Sequence, residues 1–106
     1  MSETYVYLWE FIVPPDRLEE FQRHYGPDGP WVVLFRKAAG YIDSILLHDR
    51  SDPNRFITID RWVSRDAHEA FRRAFAREYA DLDARCEQLT ARESSLGEFT
   101  QASGRL

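Results

Sequence analysis

The sequence predicts an α+β fold of order β-α-β-β-α-β, the split βαβ arrangement: a four-stranded antiparallel sheet with its helices on one face. Three observations lead there. Phe56-Ile-Thr-Ile-Asp-Arg-Trp62 alternates apolar and polar residues and is rich in β-branched side chains, as a half-buried strand is. From Arg65 to Leu89 the apolar residues Ala67, Ala70, Phe71, Ala74, Phe75, Tyr79, Leu82, Cys86 and Leu89 recur at spacings of three and four, which lays them on one helical face. Upstream, a strand, a helix and a second strand can be read before Phe56, and a weaker strand follows the long helix.

Taken in order, Tyr5–Val13 is the first strand. Tyr5, Tyr7, Trp9, Phe11 and Val13 share one face, with Val6, Leu8, Glu10 and Ile12 on the other. Both faces are largely apolar, so both should be covered. Helices on one face only leave the other to a second subunit. Pro14-Pro15 ends the strand, and proline suits the start of the helix that should run from Asp16 to Tyr25 with Leu18, Phe21 and Tyr25 inward. Gly26-Pro-Asp-Gly-Pro30 must be a loop, and Trp31–Lys37 reads as one or two helical turns. Tyr41–Asp49 is the second strand, and Arg50–Arg55 is the turn that pairs it with the third as a hairpin. Ser64 should cap the long helix, with Asp66 at its positive end. Ala91–Thr100 is the fourth strand with Gly97 as a bulge, and Gln101–Leu106 should fray.

At 106 residues the chain should form one domain, with a core from about residue 5 to 100. Three Trp, five Tyr and seven Phe exceed what a small two-layer domain needs, which points to a wide subunit interface or an aromatic-lined pocket. The net charge of −4, with both signs interspersed, offers no footprint for nucleic acid and no basic membrane patch. Cys86 is the only cysteine, so no intrachain disulfide can form, and a cytoplasmic setting is expected. Ser2-Glu-Thr4 is acidic where a secretion signal is basic, and the apolar run after it, broken by Glu10, is too short to span a bilayer.

Pro14-Pro15-Asp16, Ala39-Gly40-Tyr41, Asp52-Pro53 and Asp60-Arg61-Trp62-Val63-Ser64 together resemble the antibiotic biosynthesis monooxygenase family, over roughly Tyr5 to Phe99. The resemblance implies a ferredoxin-like subunit in a homodimeric α+β barrel, with a pocket between sheet and helices. It also implies oxygenation of aromatic polyketides by molecular oxygen, without metal, flavin or haem. Trp62 matches the tryptophan that ends the third strand and lines the pocket in the polyketide-oxidising members. Where those members have an asparagine four residues earlier this chain has Thr58, and where they have a tyrosine six residues later it has His68. The haem-degrading branch needs a histidine near the middle of the long helix and an asparagine in the first strand. The positions around Asp81 offer no histidine and Trp9 stands in the strand, so haem degradation is not expected.

Each candidate also has a plain structural reading. Trp62 can be a core residue closing the barrel end, or can stack on a flat substrate. His68, on the shoulder of the apolar stripe, can be a boundary residue or the group that moves a proton, since it titrates near neutral pH. Thr58 can hold a substrate carbonyl, while Asp60 on the same strand face would need a partner. Tyr7, Trp9, Phe71 and Phe75 would form an aromatic wall, or simply an aromatic core. Glu10 and Arg61 point to the opposite face and read as an ion pair near the dimer interface. No His/Cys spacing suits a metal, and there is no phosphate loop or nucleophile elbow. The expectation is therefore a homodimer through the sheet face, taking a small aromatic substrate and oxygen, with Trp62, His68 and Thr58 catalytic and no cofactor. The alternatives are a binding protein or a cyclase or isomerase using the same pocket, or a dimer with a closed core.

Overall fold

The computed structural model describes residues 3–102. Strands β1 (Tyr5–Ile12), β2 (Tyr41–His48), β3 (Arg55–Trp62) and β4 (Arg92–Thr100) form one sheet in the order β2-β3-β1-β4, every neighbouring pair antiparallel. Helix α1 (Leu18–Tyr25) follows a 3-10 turn at Pro15–Arg17, and α2 (Pro30–Phe35) precedes β2. Helices α3 (Arg65–Ala74) and α4 (Ala76–Cys86) lie between β3 and β4. The expected ferredoxin-like α+β topology is present. No helix among the described residues is long and apolar enough to cross a membrane.

The register of β1 on β3 determines which side chains meet. Tyr5 lies opposite Trp62, Tyr7 opposite Asp60, Trp9 opposite Thr58 and Phe11 opposite Phe56. Because side chains alternate across a strand, these eight share the face that looks at the helices. Phe56 and Trp62 are fully buried there, against Phe21 of α1, Phe35 of α2 and Phe71 of α3 among others. Ser64 caps α3 as its position suggests, its hydroxyl accepting the Ala67 amide at 3.0 Å. Gly97 sits at a positive φ of 122° where β4 slips by one residue against Leu8 and Trp9, so the bulge falls at the expected place.

Four expectations need correction. The helix read as continuous from Arg65 to Leu89 is interrupted at Phe75 (φ −114°, ψ 29°) and ends in a 3-10 turn over Glu87–Leu89. No glycine or proline lies in that stretch, so nothing local signals the break. The short second helix starts at Pro30 and ends at Phe35, earlier than the Lys37 expected. Glu10 does not pair with Arg61: it faces Ile57 in the register while Arg61 faces Val6, four positions along. Glu10 instead binds Arg55 at 2.6 Å, and Arg61 binds Asp43 through two hydrogen bonds of 2.8 and 2.7 Å. Lastly, Gln101 is tied down, its amide donating to the Thr4 carbonyl and its side chain accepting from Arg61. The rest of the tail expected to fray, from residue 103 on, lies outside the described residues.

The opposite sheet face carries Val6, Leu8, Ile57 and Ile59, half-buried, beside Ile45, Leu47 and Phe99, which are 47%, 44% and 49% exposed. The helix side is the tightly packed one. Trp62→Ala should therefore destabilise the fold by about 3–5 kcal/mol in chemical denaturation, and Phe99→Ala, on the open face, by less than about 1 kcal/mol in the monomer.

Candidate active site

Alternation and register bring Tyr7, Trp9 and Phe11 of β1 beside Thr58 and Asp60 of β3, with Ser44 of β2 next to Asp60. The helices do not seat fully on this patch. Between them lies a cavity of about 340 Å³, roofed by Tyr25 of α1, Trp31 and Phe35 of α2 and Tyr79 of α4. That volume is at the lower end of what small-molecule sites offer. Arg72 of α3 closes one side with its guanidinium 3.9 Å above the Tyr79 ring, and Asp83 and Glu93 stand at the lip.

Asp60 is the polar centre of this space. It is only 6% exposed, and no cation among the described residues lies within ion-pair distance of it. Its Oδ1 accepts the Ser44 hydroxyl, which in turn accepts the Tyr41 hydroxyl at 2.8 Å. Burial pushes the carboxyl up to about 6, although the hydroxyls of Ser44 and Tyr7 favour its ionised form. A carboxylate raised by burial in a cleft is a candidate for a functional group.

The expected site residues divide into two groups. Thr58, Tyr7 and Trp9 do line the cavity. Trp62, Phe71, Phe75 and His68 do not. Trp62 is shut off by Phe35, whose ring meets it edge-on at 5.8 Å and itself forms the cavity wall. Phe71 packs behind both, and Phe75 is half-buried at the break between α3 and α4. His68 packs against Tyr7, ring centroids 4.8 Å apart, in an adjoining open depression that shares Tyr7, Trp9 and Arg72 with the cavity but is otherwise lined by Tyr5, Arg65 and Glu98 among others. Its Nε2 is enclosed and has no hydrogen-bond partner. Burial first, and then the charge of Arg72, hold the imidazole down at about 4, so it is neutral at physiological pH. The residues that sequence reasoning passed over are Ser44, Tyr25, Trp31 and Tyr79. Tyr25 and Tyr79 were legible as inward-facing, but their convergence on one cavity depends on how α1, α2 and α4 seat against the sheet. Among the described residues no group of three His, Cys, Asp or Glu side chains could hold a metal ion.

Asp60 and His68 push stability in opposite directions as pH changes. The Asp60 pKa is raised on folding, so its burial costs nothing below about pH 4 and its full cost is present above pH 6. The His68 pKa is lowered, so its neutral burial is harmless above pH 6.5 and costs stability as pH falls toward 4. Asp60→Asn should accordingly stabilise the protein at pH 8, by up to about 3 kcal/mol, with the gain vanishing near pH 4. His68→Gln should flatten the loss of stability between pH 6.5 and 4. Thermal melts at a series of pH values covering both regions check the two predictions.

A family model for antibiotic biosynthesis monooxygenases matches residues 4–81. A comparison with curated proteins finds no match. Among solved structures, a candidate antibiotic biosynthesis monooxygenase from Nitrosomonas europaea superposes with a TM-score of 0.74 at 15% identity, covering 98% of this chain and 95% of that one. A variant of SnoaB, a cofactor-independent oxygenase from Streptomyces nogalater, superposes at 0.69 and 24% identity, covering 94% of each chain. At those identities the structures speak for the fold, while the family model reaches from the first strand past the residues that floor the cavity and into α4. On that match, this chain belongs to the antibiotic biosynthesis monooxygenase family.

Proposed function

We propose that this chain is a cofactor-independent monooxygenase acting on a planar phenolic or quinone-like aromatic substrate, with molecular oxygen as co-substrate. The observation that carries the proposal is the cavity itself: flat aromatic walls from Tyr7, Trp9, Trp31 and Phe35 around a polar floor of Thr58 and Asp60. A fused-ring ketone fits those walls by stacking, and its oxygen falls within reach of the Thr58 hydroxyl.

The chemistry such a site must perform is fixed by balance. A methylene flanked by aromatic rings and conjugated to a carbonyl loses a proton to a basic group in the wall, leaving its electron pair delocalised onto the carbonyl oxygen. The carbanion passes one electron to oxygen, and the radical pair joins to form a carbon–oxygen bond. The peroxide takes up a proton. Loss of water, with the second methylene hydrogen, leaves a new carbonyl. Overall, the methylene and one O₂ give a carbonyl and one water. Thr58 lowers the barrier by donating to the carbonyl oxygen as it gains charge.

Trp62, Phe71 and His68 serve this site from behind. Trp62 backs Phe35, and His68 backs Tyr7, so both hold walls in place without touching substrate. The partner is a second copy: the open sheet face, with Ile45, Leu47 and Phe99 exposed on it, is the surface through which a homodimer would form. A binding protein or a cyclase would use the same cavity without consuming oxygen.

Oxygen uptake by the purified protein with a panel of anthrones and hydroquinones, with no flavin or metal added, separates these readings. The proposal expects uptake above autoxidation, a loss of about tenfold in kcat/KM for Thr58→Val, and for His68→Ala a lower melting temperature with an unchanged pH profile. Uptake equal to the buffer control across the panel would overturn the oxygenase reading in favour of a binder or cyclase.

A further inference from the structure

We infer that Asp60 is the acid–base residue of this cavity, and that the hydroxyls of Ser44 and Tyr41 form its proton path to the edge of the sheet. The inference rests on the reading that a planar carbon acid binds here, and it assigns the proton transfer on which that reading depends.

The assignment begins with what a base must do: reach the substrate, and hold a proton between two steps. His68, the residue whose type suggests the role, fails the first condition, since its Nε2 is enclosed and Tyr7 stands between it and the cavity. Asp83 and Glu93 are exposed at the lip, where water competes for any proton they take. Asp60 lines the cavity floor and is shielded from bulk water. Its ionised carboxyl has about four acceptor positions, and two hydroxyls do not exhaust them. The oxygen atoms therefore keep room for a proton delivered from the cavity.

The second element is the chain behind it. Tyr41 Oη donates to Ser44 Oγ, and Ser44 Oγ donates to Asp60 Oδ1. Both residues belong to β2, an edge strand, and Tyr41 is half-buried there, at the boundary with solvent. Every link carries a hydroxyl that is both donor and acceptor, so the chain can reverse direction when Asp60 is protonated. A leucine at position 60 would bury its surface without the cost of desolvating a charge.

The step itself balances simply. The substrate C–H bond breaks, its proton goes to a carboxylate oxygen of Asp60, and the electron pair moves onto the substrate carbonyl oxygen beside Thr58. No electron leaves the substrate at this stage. The charged and titratable groups around Asp60 are Tyr7 from β1 and Tyr41 and Asp43 from β2, and across the cavity Tyr25 from α1, Arg72 from α3, Tyr79 and Asp83 from α4 and Glu93 from β4. The four tyrosines stay protonated through the neutral range because burial raises each of them. Burial also raises the Glu93 carboxyl at the lip, so a pH limb near 6 is assigned to Asp60 by its loss in Asp60→Asn and its shift in Ser44→Ala.

Proton abstraction can be tested without oxygen. Anthrone in D₂O under anaerobic conditions exchanges its methylene hydrogens when a base removes them, and proton NMR follows the loss. The native protein should accelerate exchange over buffer, with a rate that rises through an apparent pKa near 6. Asp60→Asn should lose at least about 100-fold of that acceleration. Ser44→Ala should move the midpoint to higher pH, because it removes a donor that favours the carboxylate, and should lower the maximal rate, because it cuts the path by which Asp60 returns its proton to solvent. That shift also decides the matter if Asp60→Asn fails to fold. No acceleration by native protein, native-like exchange in Asp60→Asn, or an unmoved midpoint in Ser44→Ala would each overturn the assignment. Catalysed exchange without oxygen uptake in a parallel aerobic run would uphold Asp60 as the base and overturn the oxygenase reading alone.

Discussion

An ionisable carboxyl group buried among aromatic rings, with two hydroxyls and, among the described residues, no cation at ion-pair distance, is a costly thing to fold. Asp60 is such a group, and much of the surrounding structure can be understood as what makes it tolerable. The hairpin of β2 and β3 has to be in register for Ser44 to reach it. The pairing of β1 with β3 has to place Tyr7 across from it. A slip of one residue in either ladder would turn Asp60 to the other sheet face and bring Arg61 to the helices. The charged outer-face pair of Arg61 and Asp43 stands against that slip from the opposite side of the same two strands.

The aromatic residues are divided by this geometry into packed core and cavity lining. Trp62, Phe71 and Phe56 are sealed and carry the packing between sheet and helices. Trp9, Tyr25 and Tyr79 are half-buried around the cavity, with Trp31 and Phe35 deeper in its roof. Phe35 and Tyr7 form the boundary, each with one side on the core and the other on the cavity. Rigid walls of this kind would receive the proposed flat ligand without ordering long side chains on binding. The only flexible cation beside them, among the described residues that line the cavity, is Arg72, and its guanidinium is already stacked on Tyr79.

Element order, the serine cap on α3 and the bulge at Gly97 were all legible in the sequence, because each depends on local alternation, periodicity or a conformational demand of one residue. The position of the site was only half legible. Alternation alone put Thr58, Asp60, Tyr7 and Trp9 on one face, and that part stands. Assigning Trp62 and His68 to the cavity required knowing how far α2 and α3 reach over the end of the sheet, and Phe35 comes between. Ser44 could not be found without the register of the hairpin, which its turn leaves open by a residue. The break at Phe75 carries no glycine or proline, and the pairing of Glu10 with Arg55 instead of Arg61 again turns on register.

The most direct test of this account is the ionisation of one group. With carboxyl-labelled aspartate, the ¹³C shift of Asp60, identified by its absence in Asp60→Asn, can be followed by NMR from pH 3 to 9 in the full chain. A midpoint near 6 is what a buried, cation-free carboxyl between Ser44 and Tyr7 predicts. A midpoint at or below about 4, the value of an ordinary aspartate, would mean that the carboxyl is solvated or paired, and would contradict the site described for it.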